Sequence, residues 1–239
     1  MRSELLKLIS VRTVMITLLL NIPFGVLFAM VGKGNLATGS DTAANMQHLT
    51  LLQGGFAAAA CLILTIVAVL GITSEHSTGQ IGSTLRTVPR RWYVTFGKSA
   101  ALGILVWIVG FTTSLITALT MFGSAGPLPA DAILTVLLTS VCGGLAWAAL
   151  ATISLSIGGI LRSAAFSIAT AFALFLVAPT LIRSIPGLQD FMSYLPTSAA
   201  STLAAPIDSG TALLGALTLA AWAAVGIGVW GALLAHRDV

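Results

Sequence analysis

Apolar residues run along this chain in long blocks rather than in alternation. Six stretches, at about 13–31, 52–73, 100–122, 133–157, 164–182 and 211–235, are almost wholly apolar and hold no Asp, Glu, Lys or Arg. Roughly 20 such residues form a helix long enough to cross the hydrocarbon core of a bilayer. The pattern predicts an all-α polytopic membrane protein with six transmembrane helices in one transmembrane domain covering 1–239. Ahead of the first stretch, Leu5, Leu6, Leu8, Ile9 and Val11 alternate with Arg2, Glu4, Lys7 and Arg12. That mixture predicts an N-terminal interfacial helix lying on the membrane surface.

Two connecting segments carry patterns of their own. Residues 74–99 form the most charged loop, and within it Ile81, Leu85 and Val88 fall at i, i+4 and i+7, one stripe of a short helix. Pro89 ends that helix because proline has no N–H to continue the ladder. Arg86 lies off the stripe, and Arg90 and Arg91 follow the stop. The second segment, Arg183 to Gly210, contains Pro186, Pro196 and Pro206. Between the first two prolines Leu188, Phe191, Met192 and Leu195 are spaced as a helical stripe, which predicts a short helix in the interface.

Composition narrows the picture. Of 239 residues 57% are hydrophobic and only 8% charged, with a mean hydropathy of +1.02. Soluble domains carry about 25% charged residues, so a soluble enzyme, a disordered tail and a disulfide scaffold are excluded. The net charge of +4 is explained by where the basic residues fall. Arg2, Lys7, Arg12, Arg86, Arg90, Arg91, Lys98, Arg162 and Arg237 lie on one side of the predicted spans, and only Lys33 and Arg183 on the other. Basic residues collect on the cytoplasmic side, so both termini are expected inside, with anionic lipid rather than nucleic acid as the partner of the surplus. The first stretch is long, interrupted by Asn21 and Pro23 and followed by no A-x-A site, so it is not read as a cleaved signal peptide.

Candidate chemistry is sparse. The predicted spans hold no ionisable acid or base that an ion-coupled transporter would need at membrane depth. His48, His76 and His236 cannot share a helix face, and Cys61 and Cys142 sit in separate spans as small apolar residues. No Ser stands in a G-x-S-x-G elbow. Gly97-Lys98-Ser99 looks like the end of a phosphate-binding loop, but Trp92 occupies the position of its first glycine. Metal, nucleophilic and ATP-binding roles are therefore not expected of this chain.

The order Glu75, Gly79, Leu85, Pro89, Arg91 and Gly97-Lys98 resembles the permease subunits of ABC-2-type transporters, bacterial ABC exporter transmembrane proteins. Gln80 departs from the Thr that this family often places after the glycine. The resemblance implies a cytoplasmic coupling helix between spans 2 and 3 that contacts an ATP-binding cassette ATPase. Its ATPase-coupling residues would be Glu75, Gly79, Ile81, Leu85, Arg86, Val88, Pro89, Arg90 and Arg91. It also implies short re-entrant or interfacial helices between spans 5 and 6, making Leu188, Phe191, Met192 and Leu195 an outer gate. The partners implied are two ATPase subunits and a second permease copy or a paralogue. ATP and Mg would be bound by the ATPase, with no cofactor in this chain. Export of amphipathic or hydrophobic cargo, such as an antibiotic, a peptide or a lipid, is the expected activity. Scattered hydroxyls at Thr112, Thr113, Ser114, Thr117, Ser140 and Ser154 would line an uncharged path.

Two rival readings use the same residues differently. A membrane anchor or sensor could recruit another cytoplasmic protein through 74–99. A lipid-modifying membrane enzyme would have to use Asp41 with His48, or Glu75 with His76, and neither pair has a third partner at a suitable spacing.

Overall fold

The computed structural model describes residues 12–33, 63–73, 91–122, 130–204 and 209–236. Among them every regular element is helical. Helix α1 runs Arg12–Lys33 and α2 Ile63–Thr73. The long helices α3, Arg91–Phe122, and α4, Ala130–Leu161, follow. A 21-residue rod over Ala164–Ser184 consists of α5 (Ala164–Phe172), a π-helical turn (Ala173–Val177) and α6 (Ala178–Ser184). After a 3-10 helix, Gln189–Tyr194, come α7 (Pro196–Ala204) and α8 (Ser209–His236).

Four of these are long and apolar enough to cross a membrane: Thr95–Thr120 in α3, Ile133–Leu161 in α4, the α5–α6 rod, and Gly210–His236 in α8. They answer to the third through sixth predicted spans, so the chain is a multi-pass membrane protein. Helix α1 lies where the first span was expected, and α2 is the described part of the second. Residues of the predicted N-terminal interfacial helix before Arg12 lie outside the described residues.

One boundary differs from expectation. Residues 91–99 were read as loop, yet they form the first turns of α3, and Lys98 is buried at 6% exposure beside buried Thr95 and Ser99. Charge marks where an apolar span ends, but it does not stop a helix. The described helix begins at Arg91, seven residues before Lys98.

Helix α4 is the hub, packing against α3, α5, α7 and α8. Its tightest crossing is with α3, at paired glycines. A Cβ on Gly144 would stand 2.9 Å from the Phe111 nitrogen and the Trp107 carbonyl, and one on Gly110 would stand 3.1 Å from the Gly144 Cα. Small residues let membrane helices approach backbone to backbone in this way. Two apolar clusters flank α4. One joins Leu64, Val67, Ala68 and Ile72 of α2 with Leu102, Leu105 and Val106 of α3, Trp147, Ala151 and Leu155 of α4, and Trp230 of α8. The other joins Ala146, Leu150 and Ile153 of α4 with Ala171 of α5, Phe175 of the π turn, Ala199, Ala200 and Leu203 of α7, and Leu219 of α8.

The connections have local causes. Arg162 closes α4 in the left-handed region (φ 56°), its N–H bonded to the Gly158 carbonyl at 2.9 Å. A non-glycine residue there costs about 1–2 kcal/mol. In the α5–α6 rod, Pro179 lacks the N–H that would bond the Phe175 carbonyl, and the turn before it widens so that the Ala178 N–H reaches the Ala173 carbonyl. Beyond Ser184, the Leu188 N–H bonds the Ile185 carbonyl around Pro186-Gly187, with Gly187 at φ 87°. Proline followed by a positive-φ glycine is the chemistry such a four-residue turn requires.

Candidate functional site

Of the nine residues expected to couple to an ATPase, Glu75, Gly79, Ile81, Leu85, Arg86, Val88, Pro89 and Arg90 lie outside the described residues. Arg91 opens α3. What the structure does show is the bundle end from which that segment departs, between Thr73 of α2 and Arg91 of α3.

At that end three seats fix α8 and α2 against their neighbours. Gly158 of α4 receives Ile72 of α2, whose Cγ2 lies 2.6 Å from where a Cβ would be. Gly159 receives the indole of Trp230, whose Cε2 and Nε1 fill the place where a Cβ would be. Gly231 receives the ring of Trp92, with Cζ3 at 2.5 Å and Cε3 at 2.7 Å. The two tryptophans differ in setting. Trp230 is 1% exposed and its Nε1 has no acceptor among the described residues. Trp92 is 42% exposed and stacks on Phe96, centroids 6.2 Å apart. Sequence reasoning missed these seats. Gly158-Gly159 and Trp230-Gly231 are visible in the sequence, but which glycine faces which ring depends on helix rotation.

The hydroxyls expected to line a path are placed differently. Thr113, Ser114 and Thr117 of α3 and Ser140 and Ser154 of α4 are buried in the seams between helices. Most bond back to their own helix, as Thr117 does to the Thr113 carbonyl (2.8 Å), Ser140 to Val136 (2.7 Å) and Ser154 to Leu150 (2.9 Å). Ser154 also meets Thr65 of α2 at 3.3 Å. Thr112, half-buried, bonds the Ile108 and Val109 carbonyls. These groups are buried between helices, most closed on their own backbone and Ser154 also joining α4 to α2, so within this one chain they are not offered to a cargo.

The expected gate residues fall on the 3-10 helix and its flanks, and its period of three divides the stripe. Leu188, Phe191 and Tyr194, three apart, are exposed, Phe191 at 58% and Tyr194 at 65%. Met192 and Leu195, also three apart, turn inward, with Leu195 at 8%. Trp222 of α8 anchors the segment, its Nε1 donating to the Tyr194 carbonyl at 2.9 Å. Helix α7 then lies on Gly215 of α8, where a Cβ would stand 2.7 Å from the Ala199 carbonyl and 3.1 Å from the Leu203 nitrogen. At 1.5 Å per residue, Gly215 and Trp222 lie about 9 and about 20 Å along α8 from Ser209. The segment therefore descends beside α8 before α7 climbs back.

Among the described residues no group of three His, Cys, Asp or Glu side chains converges as a metal site. No curated protein matches the chain. Residues 1–178 match the family model described as ABC-2 family transporter protein, which takes in α1 to α5, the π turn and the 74–90 segment. With nearly three quarters of its length matched, and with helices fit to cross a bilayer several times, the chain belongs to the ABC-2 family of transporter proteins.

Proposed function

We infer that membership of this family makes the chain the membrane component of an ABC transporter, associated with an ATP-binding cassette ATPase that does the catalysis. We propose that it is the permease subunit of an exporter with six spans and both termini in the cytoplasm. Two copies, or this chain and a paralogue, would work with two ATPase subunits that bind ATP and Mg. The observation that carries this reading is the family match across the 74–90 segment, whose stripe Ile81, Leu85 and Val88 suits docking into an ATPase groove. Glu75, Gly79, Arg86, Pro89, Arg90 and Arg91 would set the position of that helix against the membrane. ATP closes the ATPase pair, the coupling helices move, and the bundles tilt to open outward; hydrolysis resets them. Leu188, Phe191, Met192 and Leu195 would form the outer gate. The cargo is amphipathic or hydrophobic. It passes between bundles, because the hydroxyls of each bundle are buried between its own helices.

The test is to tag the chain, extract it gently from membranes with in-membrane cross-linking, and identify what co-purifies. An ATP-binding cassette ATPase in about equal amount supports the proposal. Leu85→Asp puts a charge in the docking stripe and should release that ATPase while the bundle stays folded. Retention of the ATPase by this variant would overturn the assignment of 74–90.

A further inference from the structure

Helix α8 is the least buried of the four long spans, with 11% of its membrane-crossing window buried. It packs against α4, α7 and α3, and its closest seats gather at two places along its length. At one end, Gly226 lies on Ser156, whose Cβ would be 2.9 Å from an added Cβ; Trp230 fills the Gly159 notch, and Gly231 lies under Trp92. Farther along, Gly215 receives α7, and the Trp222 indole holds the Tyr194 carbonyl. A helix of 28 residues is close to a rigid rod, so a displacement imposed at one set of seats reaches the other.

Trp92 is the contact through which such a displacement can enter. It is the second residue of α3, and only Arg90 and Arg91 separate it from the proline that closes the proposed coupling helix. Its ring touches the α8 backbone directly because residue 231 has no side chain. Its stacking on Phe96 and the bond from the Thr95 hydroxyl to the Trp92 carbonyl (2.9 Å) brace the first turn of α3, so the ring moves with that turn.

We infer that Trp92, seated on Gly231, is the positioning residue that transmits movement of the 74–90 segment into α8, and that α8 carries it to the 188–195 segment through Trp222. This rests on the permease reading above and adds to it the route by which the ATPase side reaches the far end of the bundle. Trp230 in the Gly159 notch acts as the fulcrum, since it is enclosed by α2, α3 and α4.

The experiment uses the complex in lipid nanodiscs, which leave both membrane faces open to nucleotide and label, with Cys61→Ala and Cys142→Ala removing the natural thiols and Ser193→Cys reporting from the exposed side of the 3-10 helix. The labelling rate with a membrane-impermeant maleimide is compared in ATP with EDTA and in ATP-Mg with vanadate. A nucleotide-dependent rate is expected with Trp92 present, lost in Trp92→Ala and recovered in Trp92→Phe, with ATPase co-purification and ATP hydrolysis retained in all three. Gly231→Ala, which displaces the ring without deleting it, should give the same loss and serves if Trp92→Ala fails to fold. A nucleotide-dependent rate that survives both Trp92→Ala and Gly231→Ala overturns the inference. So does a rate insensitive to nucleotide in the parent complex, while leaving the permease reading in place. Absence of any ATPase from the parent complex overturns both.

Discussion

The α3–α4 crossing makes a demanding prediction about a single methyl group. In Gly144→Ala the new Cβ would lie 2.9 Å from two backbone atoms of α3 and 3.1 Å from the Trp107 Cδ1. Ordinary contacts sit near 3.5–4.0 Å, so α3 must retreat by about 0.5 Å or more. Backbone cannot swing aside as a side-chain tip could. A gap of 0.5–1 Å forfeits about a quarter to a half of each contact along the crossing, and forced overpacking of this kind costs about 1–3 kcal/mol. The change also gains helix propensity, about 1 kcal/mol in water. The control is therefore Gly228→Ala in α8, where nothing lies within 4 Å of the new Cβ and only the propensity gain applies. Both variants are unfolded by SDS titration in mixed micelles, and the difference between them isolates the clash. Gly144→Ala should be less stable than Gly228→Ala by about 2 kcal/mol, roughly a thirtyfold change in the folded-to-unfolded ratio. Equal shifts in the two variants would refute the backbone-contact argument for this crossing.

Two further substitutions probe the seats of α8. Gly159→Ala drives a methyl into the enclosed Trp230 indole and should cost at least as much as Gly144→Ala, read as a lower melting temperature in detergent; an unchanged melting temperature would show that the notch can relax. Trp222→Phe keeps an aromatic ring, though a smaller one, and leaves the Tyr194 carbonyl without its donor. At about 0.5–1.5 kcal/mol for one hydrogen bond, amide exchange over 189–204 should quicken up to roughly tenfold, and unchanged exchange would mean that packing alone holds the segment.

How much of this was readable from the sequence depends on what each feature answers to. The spans were legible because bilayer thickness imposes a minimum apolar length, and the third through sixth stretches each coincide with a long helix. Helix ends were less so. Charge at Lys98 marks the limit of the apolar span and not of the helix, and α3 extends past that span to Arg91. The stripe Leu188, Phe191, Met192 and Leu195 is plain in the sequence as an apolar spacing. Its faces could not be assigned, because α spacing and 3-10 spacing place Phe191 and Met192 differently. The hydroxyls showed the same limit. Thr113 and Ser154 read as polar points in apolar helices, and only the rotation of α3 and α4 shows that they face neighbouring helices. The Trp92–Gly231 and Trp230–Gly159 seats join residues far apart in the chain, and no local pattern encodes such pairs.

The position of α8 after α3 and α4 in the chain has a consequence for how the protein is made. Its seats at Gly159, Ser156 and Trp92 belong to helices that leave the ribosome earlier. Synthesis proceeds at about 5–20 residues per second, so roughly 4 to 15 seconds separate the emergence of Leu161 from that of His236. During that interval the notch in α4 stands open to lipid, and the partly made bundle has no indole to close it. Nascent chains would be most exposed to membrane proteases in this window, and the docking of Trp230 would be the event that ends it.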